Sequence, residues 1–169
     1  MKTRLKTLAA YALCLTILCS TVIPAFAKTD YEAKIDSYSR SINALTVYDV
    51  TQQKMLYGKN ENKHIYIAST TKLMTCFVAL SVFHPDDIIV VGNEINLRKP
   101  NSSLSFILPG HKLRVRTLIA ALLLPSGNDA AYTIAVNAAR KHSGDMNMGY
   151  ERAVNYFCNL MNEKARALG

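Results

Sequence analysis

The stretch "IASTTKLMT", residues 67–75, is where the sequence changes from strand-like to helix-like patterning. From Ser69 onward, apolar side chains recur at intervals of three and four residues, which is the spacing of one helix face. These apolar residues are Leu73, Met74, Cys76, Phe77, Val78 and Leu80. We predict a helix that begins near Ser69 and is buried on most of its sides.

The residues before this stretch predict an antiparallel hairpin. The β-rich runs "INALTVYDV" and "KMLYGK" are separated by "TQQ", so we expect the hairpin to extend from Ile42 to Lys59. A polar amphipathic stretch precedes it, to about Arg40. The domain therefore begins with an antiparallel edge.

The residues after this stretch predict a short strand and two further helices. The tetrapeptide "HPDD", residues 84–87, should end the first helix, and "IIVV", residues 88–91, predicts a strand. Helices are expected over Val115–Leu124 and from Asp129 to about His142, with "PSGND" between them.

A last helix is predicted up to Gly169, which has the residue type of a helix C-cap. One face of this helix is apolar and is formed by Val154, Phe157, Cys158, Met161, Ala165 and Leu168. One hairpin and one short strand cannot cover three or four apolar helices. We therefore expect more sheet beyond Gly169.

The first 27 residues have the pattern of a secretory signal peptide. Three basic residues precede an apolar run, and "AFA" at residues 25–27 supplies the small residues of a cleavage site. We therefore divide the sequence into a signal peptide, residues 1–27, and one domain, residues 28–169. Removing the leader takes three of the 20 basic residues and none of the 12 acidic ones, so the net charge falls from +8 to +5. An exported protein is not expected to bind nucleic acid, and this charge favours anionic envelope polymers only weakly.

Cysteine and histidine content argues against cross-links and metals. Cys76 and Cys158 remain after the leader, each on the apolar side of a predicted helix, so we predict buried free thiols rather than a disulfide. The four histidines are scattered and lack the spacing of metal ligands. We expect no metal and no other cofactor.

A serine at a helix N-terminus and a lysine three residues later can form a catalytic pair. Ser69 would lie at the positive end of the helix dipole, and Lys72 would share its face. A serine hydroxyl needs a base to act as a nucleophile, and a lysine enclosed by apolar side chains such as Leu73, Met74 and Phe77 can be that base. The alternative is that Ser69 only caps the helix and Lys72 is solvated.

The segment "PSGND", residues 125–129, places Ser126 and Asn128 at a helix-breaking turn, where both side chains can point into one cleft. Its alternative interpretation is an ordinary turn between helices, because Ser and Asn are common turn residues. Neither motif is decisive alone.

Together and in this order, the two motifs resemble those of the serine penicillin-recognising enzymes: S-x-x-K, then S-x-N, then K-T-G on a strand. "IASTTKLMT" and "LLLPSGNDAA" look like the D-alanyl-D-alanine carboxypeptidases of the low-molecular-weight penicillin-binding proteins, serine peptidase family S11. "ALTVYDVTQQKMLYGKN" is similar to their opening hairpin. The resemblance implies an α/β (α+β) fold of the β-lactamase/transpeptidase type, with an antiparallel sheet flanked by helices. This sequence would hold the first hairpin and the helical lobe.

The resemblance also implies roles for four residues. Ser69 would attack the terminal D-Ala-D-Ala bond of a peptidoglycan stem peptide, Lys72 would be the base, and Ser126 would relay a proton to the leaving amine. Asn128 would bind the substrate backbone. The expected partners are the stem peptide and β-lactam antibiotics as covalent inhibitors, in the extracytoplasmic cell envelope. A peripheral membrane association would depend on a C-terminal segment that these residues do not include.

The sequence departs from the family pattern in one major respect. No K-T-G follows "PSGND", so residues 28–169 are expected to be the N-terminal portion of the domain and inactive by themselves. The alternative is a non-catalytic envelope protein that binds wall peptide or a protein partner. A β-lactamase is a third hypothesis, but the "PSGNDAA" context favours the carboxypeptidase.

Overall fold

The computed structural model describes residues 30–168, which divide into two compact units, residues 30–65 and 66–168. The predicted leader and the predicted C-cap Gly169 lie outside the described residues. The first unit contains α1 (Asp30–Tyr38), β1 (Leu45–Asp49) and β2 (Lys54–Lys59). The second contains α2 (Thr71–Val82), β3 (Ile88–Val90), β4 (Lys112–Arg114), α3 (Val115–Leu123), α4 (Asn128–Ser143) and α5 (Tyr150–Leu168). Over the described range, no helix combines the length and the apolar character that a membrane span requires.

The first unit confirms the predicted hairpin. Strands β1 and β2 pair antiparallel, from Leu45 opposite Lys59 to Asp49 opposite Lys54. The connecting turn has no glycine, but the Asp49 carboxylate accepts backbone N–H bonds from Thr51 and Gln52, both at 2.9 Å. The two hydrogen bonds to this carboxylate satisfy backbone N–H groups in the turn, where the strand-to-strand hydrogen bonds end.

The second unit confirms the short strand predicted over residues 88–91 and adds a partner that sequence patterning missed. Strand β3 pairs antiparallel with β4, and Ile89 lies opposite Leu113. Strand β4 has only three residues and runs directly into α3, so its alternation is too short to be distinguished from a helix start.

The core of the second unit lies among its four helices. The predicted helices over residues 115–124 and 129–142 are confirmed as α3 and α4. Helix α4 is rich in alanine and packs against α2, α3 and α5. The largest fully buried apolar side chains are Val91, Val115, Leu118, Leu122, Ile134, Val136 and Phe157.

Helix α2 is not buried on most of its sides, so that prediction is wrong. Thr75, Cys76, Val78 and Ala79 are buried, but Leu73, Phe77 and Leu80 are 57%, 55% and 48% exposed. The three exposed side chains follow the helical spacing of one stripe, which we call the exposed α2 face. Only the opposite side of the helix contacts the core.

The predicted burial of the two cysteines holds for one of them. Both thiols are free, Cys76 is buried, and Cys158 is exposed. Helix α5 buries Ala153 and Phe157 rather than Cys158, so its contact face is rotated by about one residue from the apolar stripe that the sequence suggested.

Candidate active site

Ser69 lies in a single 3-10 turn, Ala68–Thr70, that leads directly into α2. The turn is closed by the Thr70 N–H, which donates to the Ile67 carbonyl at 3.1 Å. The Ser69 side chain is solvent-exposed at the N-terminal end of the helix. The positive end of a helix dipole stabilises negative charge that develops there.

Ser126 reaches Ser69 from a different part of the chain. It lies in the break between α3 and α4, where Pro125 prevents α3 from continuing. Its hydroxyl donates a hydrogen bond to the Ser69 hydroxyl, with an Oγ–Oγ distance of 2.8 Å. The structure therefore brings together two of the predicted site residues that are 57 positions apart in sequence.

The backbone is strained on both sides of this hydrogen bond. Ala68, which precedes Ser69, has φ of +46°, and Ser126 itself has φ of +58°. A left-handed conformation at a non-glycine residue costs roughly 1–3 kcal/mol and is common at functional sites. One outlier is adjacent to Ser69 and the other is Ser126 itself, so both lie at the residues that carry the two hydroxyl groups.

Gly127 allows the turn to pack closely. A Cβ atom at this position would lie 2.6 Å from Ser105 Oγ, 2.7 Å from the Ala121 carbonyl oxygen and 2.9 Å from Asp129 Oδ1. Because one of these neighbours is backbone, no side-chain rotation could remove the clash. A glycine is therefore needed between Ser126 and Asn128 in this chain.

Asn128 is the first residue of α4 and is bound to an upstream loop. Its backbone N–H and its Nδ2 both donate to the Ser103 carbonyl, at 2.9 and 3.1 Å. This orients the carboxamide so that Oδ1 points away from that carbonyl. Within residues 30–168, Oδ1 accepts no hydrogen bond.

Lys72 is half-buried in the first turn of α2. Among the residues that the structure describes, its ammonium group makes no hydrogen bond or ion pair. The hydrogen bond that would join it to Ser69 is therefore not formed. Leu73 and Phe77, which were expected to enclose it, are more than half exposed. Its role as a base stays a prediction.

Sequence patterning missed Asp129 as a residue of this region. The side chain is 2% exposed, and its carboxylate accepts hydrogen bonds from Ser105 N and Oγ, Ile107 N and Ala130 N. Burial tends to raise its pKa, but the hydrogen bonds from Ser105, Ala130 and Ile107 outweigh that effect and hold the pKa below its usual range. The only sequence signal at this position is an acidic residue in a first helical turn, which is common to many helices.

The arrangement suits acyl transfer by a serine hydroxyl. Two hydroxyl groups are in hydrogen-bond contact, and Lys72, which makes no hydrogen bond or ion pair among the described residues, lies one turn from one of them. In the described part of the chain, no three His, Cys, Asp or Glu side chains form a group that could hold a metal ion.

Comparison with known proteins gives consistent matches. The family model described as D-alanyl-D-alanine carboxypeptidase matches residues 32–169. D-alanyl-D-alanine carboxypeptidase DacA of Escherichia coli is 31% identical over 158 residues, which cover 88% of this chain and 34% of the relative.

The solved structures agree with the sequence matches. A point mutant of the Streptomyces K15 DD-transpeptidase superposes with a TM-score of 0.65 at 27% identity, over 75% of this chain and 49% of the other. Penicillin-binding protein 6B from Escherichia coli gives a TM-score of 0.54 at 31% identity, over 69% of this chain and 36% of the other. The predicted fold class is confirmed. The chain spans between 25% and 36% of the length of the curated relatives that it matches.

Proposed function

Because this chain belongs to the D-alanyl-D-alanine carboxypeptidase family, we propose that the complete protein is a serine carboxypeptidase that removes the terminal D-alanine from peptidoglycan stem peptides. The observation that carries the proposal is the hydrogen bond between Ser126 and Ser69, which sets a second hydroxyl beside the proposed nucleophile. A helix-capping serine would not need a partner from a turn that lies 57 residues away.

In the first step, Ser69 Oγ attacks the carbonyl carbon of the penultimate D-alanine. Lys72 accepts the hydroxyl proton, and a tetrahedral oxyanion forms. The backbone N–H of Ser69, at the start of α2, supplies one donor to that oxyanion. Within residues 30–168, Lys72 Nζ makes no hydrogen bond or ion pair, so its free amine form has a lone pair available to accept this proton.

In the second step, the C–N bond breaks and the leaving amine must gain a proton. Ser126 passes a proton to the amine and regains one from Lys72, so the charge balance is restored and Ser69 remains acylated. Water then hydrolyses the ester and releases the shortened peptide. The contact supports this relay, since it places the Ser126 hydroxyl 2.8 Å from the oxygen at which the chemistry occurs.

Asn128 is proposed to hold the substrate backbone. Its Nδ2 already donates to Ser103, so Oδ1 is left to accept an N–H from the stem peptide. The carboxylate-binding residues and the second oxyanion donor would belong to a K-T-G strand, which these 169 residues do not contain.

The proposed cellular setting is the extracytoplasmic envelope. A leader over residues 1–27 would direct export, and peptidoglycan is found only outside the cytoplasmic membrane. The same acylation chemistry would make Ser69 the target of β-lactam antibiotics.

Covalent labelling of the complete protein with a fluorescent penicillin tests the proposal. We expect Ser69→Ala to abolish labelling and Lys72→Ala to slow it by at least about a hundredfold. Ser143→Ala is the matched control, because this exposed hydroxyl bonds only backbone groups at a helix end: it donates to the Arg140 carbonyl and accepts from the Asp145 N–H. Undiminished labelling of Ser69→Ala would refute the nucleophile assignment, and release of D-alanine from a D-Ala-D-Ala peptide must be lost in the same variant.

A further inference from the structure

A buried carboxylate beside the proposed catalytic group has no role in the mechanism above. Asp129 is 2% exposed and accepts hydrogen bonds from four donors. Three of these are Ser105 N at 2.9 Å, Ser105 Oγ at 2.7 Å and Ile107 N at 3.2 Å. An aspartate in a first helical turn ordinarily bonds the N–H groups of its own helix. Here only Ala130 N belongs to that helix, and the other donors lie 22 and 24 residues upstream.

The same upstream residues also hold the substrate-binding asparagine. We call residues 103–107 the anchor segment. At one end, the Ser103 carbonyl accepts both hydrogen bonds from Asn128, and at the other end, Ser105 and Ile107 donate to Asp129. Asn128 and Asp129, two consecutive residues of α4, are therefore hydrogen-bonded to the two ends of the anchor segment.

The anchor segment does not adopt a relaxed conformation. Phe106, between the two residues that donate to Asp129, has φ of +58° and is 80% exposed. A bulky residue in the left-handed region is a genuine outlier, and its ring gains no burial that would offset the strain. The hydrogen bonds from Ser105 and Ile107 to the carboxylate restrain the residues on either side of Phe106.

We propose that Asp129 is a positioning residue that acts through the anchor segment, fixing the Ser103 carbonyl and hence the carboxamide of Asn128. The inference rests on the proposed function and assigns a role that the four motif residues leave open. The carboxylate also packs against the Gly127 position, because a Cβ there would approach Oδ1 to 2.9 Å. Asp129 thus supports the strained turn that carries Ser126.

The test uses the complete protein and compares Asp129→Asn with Val136→Ala. Asparagine keeps the size of the side chain but replaces one acceptor oxygen by an NH2 group, which would face a backbone N–H. Val136 is fully buried two turns further along the same helix and contacts none of the site residues through a hydrogen bond. Its truncation should lower the melting temperature while leaving every hydrogen bond of the anchor segment in place.

We expect penicillin acylation of Asp129→Asn to slow by about tenfold to a hundredfold, since displacement of about 1 Å in a catalytic group has that effect. Val136→Ala, measured at a temperature where both variants are folded, should acylate within about twofold of the wild type. Ser105→Ala, which removes only one of the donors to Asp129, should lose less than about fivefold. The KM for a D-Ala-D-Ala peptide should rise in Asp129→Asn, because Asn128 is the group that is displaced.

Two results would overturn the positioning role. One is wild-type acylation by Asp129→Asn, and the other is an equal loss in Val136→Ala, which would make the effect one of general stability. Labelling of Ser69→Ala separates this inference from the proposed function. If Ser69→Ala still labels with penicillin, the proposed function fails. If Ser69→Ala does not label but Asp129→Asn labels like the wild type, only the positioning role is overturned.

Discussion

At the residue scale, the site depends on backbone conformations that the amino-acid types do not favour. Ala68 and Ser126 are both left-handed and neither is a glycine. Each is held by its neighbours, Ala68 by the 3-10 turn that begins α2 and Ser126 by the close packing at Gly127. Strain of this kind persists only where the surrounding structure over-determines the conformation.

Replacing Gly127 by alanine should therefore disrupt the turn. The added methyl group would meet the Ala121 carbonyl at 2.7 Å, and such overpacking costs about 1–3 kcal/mol of unfolding free energy. Acylation should slow as well, because Ser126 moves with the turn. Chemical denaturation and penicillin labelling measure the two effects.

Gly149→Ala is the matched control for this substitution. No atom lies within 4 Å of a Cβ at Gly149, so the unfolding free energy should change by at most about 0.5 kcal/mol. An equal loss in both variants would mean that the clash at Gly127 is not the cause.

Asp129 should also make stability depend on pH. Its pKa is lowered in the folded chain, because hydrogen bonds from Ser105, Ala130 and Ile107 outweigh the effect of burial. The stabilisation is therefore fully present above the unfolded pKa of about 3.9 and is lost as pH falls through the lower folded value. The unfolding free-energy difference between wild type and Asp129→Asn should be large at pH 6 and should shrink below about pH 4. A difference that stays constant down to pH 2.5 would contradict this assignment.

The sequence identified four motif residues but could not supply the conformations that connect them. Spacing and resemblance indicate Ser69 and Ser126, but their contact in space depends on how the helices pack. Asp129 is the last residue of "PSGND", yet most of its hydrogen-bond donors lie in residues 103–107, where no periodicity marks an interaction. The apolar character of Leu73 and Phe77 suggests that they enclose Lys72. Whether these side chains are buried depends, however, on which other residues pack against this face of α2.

At the element scale, helix positions were predicted more accurately than helix faces. The breaks at "HPDD" and "PSGND" fix where α2 and α3 end, since Pro and Gly act locally. The buried side of a helix depends instead on its neighbours. This explains why the exposed α2 face and the rotation of α5 were not predicted.

The two cysteines provide a chemical test of these faces. Burial raises the pKa of the Cys76 thiol, and thiolate is the reactive form, whereas Cys158 is exposed. In the chain from Lys28 onward, an aromatic disulfide reagent at pH 8 should modify the exposed Cys158 thiol rapidly and the buried Cys76 thiol slowly. Cys158→Ser should remove that rapid phase, and Cys76→Ser should leave it unchanged. After denaturation both thiols should react, which controls for the presence of each.

At the scale of the whole molecule, residues 28–169 contain only part of the proposed active site. They hold the proposed nucleophile, base, relay and substrate amide, but no K-T-G. Removing one oxyanion donor alone typically lowers turnover by about a hundredfold to a thousandfold. We therefore expect residues 28–169 expressed alone to be acylated by penicillin at least about a hundredfold more slowly than the complete protein.

A parallel measurement shows whether folding limits that comparison. Far-ultraviolet circular dichroism of residues 28–169 should show the helical content of α2 to α5. Equal acylation rates for the two proteins would contradict the expected dependence on a K-T-G strand.

The hydrogen bond between Ser69 and Ser126 also means that the reactivity of the proposed nucleophile should report on the progress of folding. The two residues belong to separate elements, so their contact requires closure of a 57-residue loop, and loop-closure entropy delays contacts of this kind relative to helix formation. A refolding chain should regain its helical circular dichroism before Ser69 becomes reactive. Brief pulses of penicillin at increasing refolding times would then measure when the tertiary structure around Ser69 Oγ forms, through the extent of labelling.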